Sequence, residues 1–453
     1  MKTIAAIATA QGSGGIGIVR ISGEKAIEIS DKVFKSIDQN KLSNQKGYRA
    51  KYGYTFDKEG KIDETIALIF RAPKSYTGED VVELSCHGGV YITRRLLRAV
   101  LESGAEMAGP GEFTKRAFLN GKMDLTQAES VMDLISAKGK RANDMALSIR
   151  EGSLVNKIEE IKSKLIEMTA HLCVWADYPE EDIQQLELKV LKKDIDSINN
   201  TLQKVINNYD SGCAIKEGIR TVLIGKPNVG KSTLMNMLSG YEKSIVTDIP
   251  GTTRDTIEET VMLGDIQLRL IDTAGIRETE NYVEKIGVDR AKESIISAGL
   301  KLIVIDGSKE IDDEDIKILE EAGNENSIAI INKIDIDNKI DKERISKYAS
   351  KVVEISAKEK KGIEDLKEAV YDIIGMTKID ASEVIISNER QFNIIKKAYK
   401  CTQEADEILK IGMTLDAITV LLQDAIQELM ELSGERASDK VIEEVFSKFC
   451  VGK

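Results

Sequence analysis

The residues best suited to chemistry form the run Gly225-Lys226-Pro227-Asn228-Val229-Gly230-Lys231-Ser232. It follows an apolar stretch, Thr221–Ile224, and precedes a helical one, Thr233–Leu238. Glycines at this spacing let successive backbone N–H groups turn inward on a polyphosphate. Lys231 then reaches the β and γ oxygens, Ser232 ligates Mg²⁺, and the helix that opens at Thr233 adds its dipole. Asp272-Thr273-Ala274-Gly275 closes the next apolar stretch, Gln267–Ile271, and offers a carboxylate to the outer shell of the metal and a glycine N–H to a γ-phosphate. Asn332-Lys333-Ile334-Asp335 follows Ile328–Ile331. A carboxylate there accepts from the N1–H and exocyclic amine of guanine, donors that adenine does not present, so GTP is the expected nucleotide. Ser356-Ala357-Lys358 follows Val352–Ile355 and is placed to close over the base. Each motif sits where a strand ends, the position at which open α/β sheets bind ligands.

Between the first two motifs lies Thr247-Asp248-Ile249-Pro250-Gly251-Thr252-Thr253-Arg254-Asp255, which reads as a switch loop with Thr253 as a second Mg²⁺ ligand. Arg254 is either a charge-stabilising finger or a partner of Asp255. The residue after Gly275 is Ile276, whose side chain cannot orient a water, so hydrolysis must draw on another polar group or on a partner. These four motifs resemble the translation-factor-like class of small GTPase domains.

The elements that carry them alternate short β-branched runs with helical ones over residues 216–378, the signature of βαβ units and a mostly parallel sheet; Leu302–Ile305 supplies a further strand. Helical periodicity of three and four dominates residues 123–213 and returns from Glu389 to the end, strongly so in Ile418–Met430. The pattern predicts an α/β domain inserted into a helical one, rather than three domains in succession. Residues 1–120 mix strand runs (Gly17–Ile21, Thr65–Phe70, Asp80–Leu84) with helices at Lys25–Ser36 and Tyr91–Ser103 and read as a separate α+β domain. The fold class is thus multidomain, α+β and α/β, with segments at 1–120, 121–215, 216–378 and 379–453.

At 453 residues with 42% apolar and 31% charged content, the chain has no apolar run long enough to span a membrane, and its opening is not expected to be a signal peptide. The net charge of −12 argues against a surface devoted to nucleic acid. Residues 1–120 nevertheless hold 18 Lys/Arg against 14 Asp/Glu. Five scattered cysteines and two histidines exclude a disulfide framework or a Cys/His zinc site and suit a cytoplasmic setting. Cys450 is either a thiolate nucleophile for a pyrimidine ring carbon or a small packing residue. Cys86 and His87 are adjacent on a strand and point to opposite faces, so they do not form a dyad. His171, Cys173 and Trp175 are expected to pack or cap a helix.

Across its whole length the chain resembles the MnmE (TrmE) family of tRNA-modification GTPases. The likeness rests on Gly12-Ser-Gly-Gly-Ile-Gly-Ile-Val-Arg-Ile-Ser22, Tyr76-Thr-Gly-Glu-Asp80, His87-Gly-Gly89, Gly109-Pro-Gly-Glu-Phe-Thr-Lys-Arg-Ala-Phe-Leu-Asn120, the GTPase motifs and the closing Cys450-Val-Gly-Lys453. The resemblance implies an N-terminal folate-binding and dimerising domain, a discontinuous helical domain and an inserted Ras-like P-loop GTPase domain. It implies a potassium ion held by Asn228, Thr247, Ile249 and Thr252, with Glu284 orienting the water. It also implies a 5-formyl-tetrahydrofolate, or a related one-carbon folate, at Arg20, Glu83, Lys122 and Lys453. The implied activity is GTP hydrolysis coupled, with an FAD-containing partner of the MnmG (GidA) family, to aminomethyl-type modification of a tRNA wobble uridine. A GTP-dependent switch or assembly factor for tRNA or ribosomes is the alternative.

Overall fold

The computed structural model describes all residues except 11, 178–184, 242–258, 272–297, 337–339, 341, 376–383, 413–414 and 453. Contacts divide the chain into two units, one of Met1–Met132, Ile149–Glu181 and Met413–Lys453, the other of Asp133–Ser148 and Asp182–Gly412.

In the first unit, strands β1 (Ile4–Ile7), β2 (Ile16–Ser22), β3 (Phe34–Ser36), β4 (Arg49–Asp57), β5 (Gly60–Phe70), β6 (Val81–His87) and β7 (Glu106–Met107) form one sheet in the order β3-β4-β5-β6-β2-β1-β7. All pairs are antiparallel except β1 with β7. Strand alternation sends Val19, Ile21, Ile69, Val82 and Leu84 to one face, where they pack with Ile27 and Ile29 of helix Ala26–Val33 and Leu96 and Val100 of helix Val90–Glu102. On the opposite face Ile16, Tyr52 and Ile66 are exposed. The helix predicted over Lys25–Ser36 stops at Val33. Phe34 turns extended and pairs with Thr55, because an aromatic ring after Val33 is buried better on the sheet than on another helical turn.

In the second unit, β8 (Ile219–Ile224), β9 (Glu259–Leu263), β10 (Ile266–Ile271), β11 (Leu300–Asp306), β12 (Ser327–Asn332) and β13 (Lys351–Glu354) follow the order β13-β12-β11-β8-β10-β9. Only β9 and β10 pair antiparallel. The mostly parallel sheet agrees with the alternation in the sequence; β9 is the strand it did not announce. β11 and β12 are apolar almost throughout because both sheet faces are covered, which leaves no solvent side to carry polar residues.

Helices from the two helical tracts pair with one another within each unit. Ser153–Asp177 packs on Leu415–Ser433, with Lys162 Nζ 2.6 Å from both Glu159 and Glu435. Gln185–Asn207 packs on Glu389–Ile411, where Thr402 Oγ1 donates to Asn199 Oδ1 at 2.6 Å and Lys192 pairs with Asp406. Pairing across the intervening α/β region is what its insertion between two helical halves requires.

Leu84 is fully buried in the N-terminal sheet. Leu84→Ala is expected to cost about 2–5 kcal/mol there. Hydrogen–deuterium exchange should quicken in peptides from 81–102 while those from 327–332 stay protected; unchanged exchange in 81–102 would contradict this core assignment.

Candidate functional site

The Gly225–Ser232 loop leaves the end of β8 and runs into helix Lys231–Tyr241, as its spacing requires. Lys231 Nζ folds back onto the loop, donating to the carbonyls of Gly225 and, at 2.7 Å, of Lys226. Burial holds its pKa below the usual lysine value. The N–H groups of the first helical turn stay available to an anion.

Asn332, at the end of β12 and only 2% exposed, fastens this loop to the next motif. Its Nδ2 donates to Val229 O at 2.9 Å, and its Oδ1 accepts from Ala357 N at 3.0 Å. Gly230 lies at φ +101°, and a Cβ there would sit 2.2 Å from Asn332 Nδ2, so both backbone angle and space demand glycine. Ser356 Oγ donates to Asp335 Oδ1 at 2.6 Å; this bond holds the exposed Asp335 carboxyl below its ordinary pKa, keeping it an acceptor. Lys333 Nζ donates to Asn228 O and to Asp306 Oδ2, each at 2.7 Å. Burial raises the pKa of Asp306, but Lys333 and Ser308 outweigh it and hold the group low. Asn228 itself takes φ +63°. Thus Asn228, Val229, Gly230, Lys231, Asn332, Lys333, Asp335, Ser356 and Ala357 form one bonded set, with the exposed Ser232 and Thr233 opening the helix.

A second constellation lies on the N-terminal sheet. Arg20 on β2 and Glu83 on β6 stand opposite each other, Nε to Oε1 at 2.8 Å. The guanidinium faces the rings of Tyr76 and Phe113, 5.8 and 5.6 Å from their centroids, and Nη1 donates to Gly452 O at 3.4 Å. Lys122 Nζ donates to Pro73 O at 3.1 Å, on the loop that also supplies Tyr76. The tail is fixed by a Pro110–Val451 bridge and by Gly111 N donating to Cys450 O at 3.3 Å, which leaves the Cys450 side chain exposed. Gly12, Ser13 and Gly14 line a separate cleft of about 440 Å³ with Gly88, Val90 and Arg94; neither Arg20 nor Glu83 borders it.

Two family models match the chain: one described as GTP-binding protein TrmE N-terminus over residues 3–122, the other as MnmE helical domain over 125–450. The protein named tRNA modification GTPase MnmE of Clostridioides difficile (strain 630) is 42% identical over 454 residues, covering all of this chain and 99% of that one. Its namesake from Alkaliphilus oremlandii (strain OhILAs) is 43% identical over 456 residues with the same coverage. The chain belongs to the MnmE family. Among solved structures, the G domain of the T. maritima FeoB iron transporter is 27% identical over 34% of this chain and 98% of its own, with a TM-score of 0.27.

The motifs that mark the MnmE resemblance in the N-terminal part bind one another. Glu79 meets Arg116 at 3.1 Å, Tyr76 Oη and Thr114 Oγ1 lie 2.9 Å apart, and Asn120 Nδ2 donates to Thr77 O at 2.7 Å. Sequence reasoning assigned no role to Asp306 or Arg116, which hold the two sites in place; Asp306 acts on Lys333, and Arg116, although within the Gly109–Asn120 motif, acts on Glu79 as well as on nearby Glu112. Cys86 is buried, donates to Gly17 O, and its thiol is pushed up to about 11 by desolvation, while His87 is exposed and pairs with Asp63 at 2.8 Å, so the two do not form a dyad. Of His171, Cys173 and Trp175, expected to pack or cap a helix, His171 and Cys173 are exposed on either side of the buried Leu172, while the rings of His171 and the half-buried Trp175 lie 6.4 Å apart. Thr247, Asp248, Ile249, Pro250, Gly251, Thr252, Thr253, Asp272, Thr273, Ala274, Gly275, Glu284 and Lys453 lie outside the described residues. Among those described, no group of three or more His, Cys, Asp or Glu is arranged to hold a metal, and no helix is long and apolar enough to cross a membrane.

Gly230→Ala should weaken guanine-nucleotide binding by at least roughly a hundredfold, since the new methyl displaces Asn332 from both its partners. Equilibrium titration with a fluorescent GDP analogue checks this, and retained affinity would show that the amide bridge is dispensable.

Proposed function

We propose that this chain hydrolyses GTP and couples the cycle to tRNA modification. In this reading, together with an FAD-containing partner of the MnmG (GidA) type, it installs a (carboxymethyl)aminomethyl group on C5 of the wobble uridine. The observation that carries the nucleotide half is the Asn332 bridge, which sets the Asp335 carboxylate beside a phosphate loop at the strand ends, with Ser356 holding it ionised. Two aligned acceptor oxygens suit the N1–H and amine of guanine. The tRNA half is supported by full-length kinship to proteins named tRNA modification GTPases.

Within this reading Ser232 and Thr253 hold Mg²⁺, with Asp272 in the outer shell and Lys358 beside the base. The exposed side chain of Asn228, its own carbonyl already taken by Lys333, fits a monovalent cation shared with Thr247, Ile249 and Thr252. Held by these residues, a potassium ion would supply positive charge to the phosphates. Lys231 and Gly275 contact the transferred phosphate, and Glu284 orients the water in place of the aliphatic Ile276. Arg20, Glu83, Lys122 and Lys453 hold a one-carbon folate. The acceptor Glu83, the cation Arg20 and the rings of Tyr76 and Phe113 match a flat heterocycle with N–H donors and an anionic tail. A folate supplies a one-carbon unit when bound. Cys450, exposed on the same tail, is available as a thiol to that site.

The open sheet face bearing Ile16, Tyr52 and Ile66 supports homodimerisation through the N-terminal domain; family kinship alone supports activation when two G domains meet. The domains of the proposal are 1–120, 121–215 with 379–453, and 216–378, in a cytoplasmic protein.

Cells lacking the chain should lose the C5 modification from wobble nucleosides on mass analysis, and Arg20→Ala should fail to restore it. Full restoration by that variant would remove the folate site from the reaction. GTP turnover should be at least roughly tenfold faster in potassium than in sodium, and Asn228→Ala should flatten the ratio; equal rates for the unsubstituted chain would refute the cation assignment.

A further inference from the structure

The phosphate loop contains a charged side chain that none of its accepted duties uses. Lys226, the second residue of the loop, does not point toward the nucleotide space. Its side chain is only 15% exposed, and the ammonium is gripped by Asp312, by Asp315 at 3.1 Å and, more loosely, by Glu314 at 3.8 Å. Burial alone lowers the Lys226 pKa, but Asp312 and Asp315 reverse that and hold it charged.

These acids are not free to swing. Asp312 is the N-cap of helix Asp313–Ala322; its Oδ1 accepts from Glu314 N at 3.0 Å and Asp315 N at 3.1 Å, while Asp315 Oδ2 accepts from Asp312 N at 3.3 Å. A reciprocal cap of this kind fixes both carboxylates relative to the helix start. The same segment grips the loop a second time, because Asp306 at the end of β11 orients Lys333, which holds Asn228 O. Residues 306–315 therefore brace the phosphate loop at two points, Lys226 and Asn228.

We propose that Lys226 is a positioning residue for nucleotide binding: clamped by Asp312 and Asp315, it fixes the backbone carbonyl that holds Lys231, so the loop is ordered before the phosphates arrive. This deepens, and rests on, the reading of the loop as a GTP site. Lys226 O accepts from Lys231 Nζ at 2.7 Å, so anchoring the Lys226 side chain restrains one of the two carbonyls that aim the phosphate-binding ammonium. Ordering the loop in advance removes an entropic cost from binding, and its loss appears chiefly in the dissociation rate.

The test uses the full chain and a fluorescent GDP analogue, with affinity and dissociation rate measured for four forms: unsubstituted, Lys226→Met, Lys226→Arg and the double variant Asp312→Asn with Asp315→Asn. Asparagine still caps a helix, so the double variant removes the two closer ion pairs, leaves only Glu314 at 3.8 Å, and keeps the helix start. Lys226→Met is expected to bind about tenfold more weakly through faster dissociation. Lys226→Arg should recover to within about twofold, and the double variant should fall between. Binding by Lys226→Met equal to that of the unsubstituted chain overturns the clamp. So does tighter binding by the double variant, which would mean that the acids withhold Lys226 from the phosphates. No saturable binding by the unsubstituted chain would instead bring down the nucleotide reading, and the clamp with it.

Discussion

One carboxamide holds the nucleotide site together. Asn332 is buried, and each end of its amide meets a backbone group that would otherwise be orphaned: the Val229 carbonyl on one side and the Ala357 N–H on the other. A buried peptide group without a partner costs roughly 1–3 kcal/mol, so the two loops are fixed at the separation that one side chain can span. Gly230 is the consequence, since the approach leaves no room for a methyl. The β8, β12 and β13 strands supply the frame, but the distance between phosphate end and base end is set by this amide.

The N-terminal unit is organised around a charge in the same way. Arg116 is 5% exposed and would be costly to bury alone. It meets Glu79, Glu112 and the Lys2 carbonyl, and Glu79 in turn accepts from Ser22 Oγ at 2.7 Å. Ser22 ends β2, the strand of Arg20, and helix Glu112–Leu119 carries Phe113, whose ring faces the Arg20 guanidinium. The buried ion cluster therefore fixes both the strand and the ring that shape the Arg20 site. In both units a buried polar side chain sets the geometry of the residues around it.

What could be read from the sequence follows from how local each signal is. The phosphate loop, Asn332–Asp335 and Ser356–Lys358 are contiguous and sit at strand ends, so their places were legible. Five of the six strands in that unit were visible as apolar runs because a strand covered on both faces has no polar residues to break the pattern. β3 and β4 were hidden for the opposite reason. β4 carries Lys51, Tyr52, Gly53 and Tyr54 on a half-open sheet, where alternation blurs, and β3 is three residues attached to a helix end. Asp306 and Lys226 were illegible as functional residues, since their roles come from partners that folding brings across tens of residues, and Arg116 gains its role from Glu79 and the Lys2 carbonyl as much as from Glu112 one turn away.

The connectivity has a kinetic consequence. Arg20 reaches Gly452 across 432 positions, and helix Ser153–Asp177 finds its partner only at Leu415–Ser433. Contacts at such separation cannot form until the intervening chain exists, and ribosomes add roughly 5–20 residues each second. The sheet of residues 219–354 pairs within itself, so it can close while synthesis continues. A nascent chain would thus hold a closed sheet over residues 219–354 for roughly 5–20 seconds before Gly452 reaches Arg20. Emergence of residues 450–452, more than the folding of any one sheet, sets the moment at which both sites coexist in one molecule.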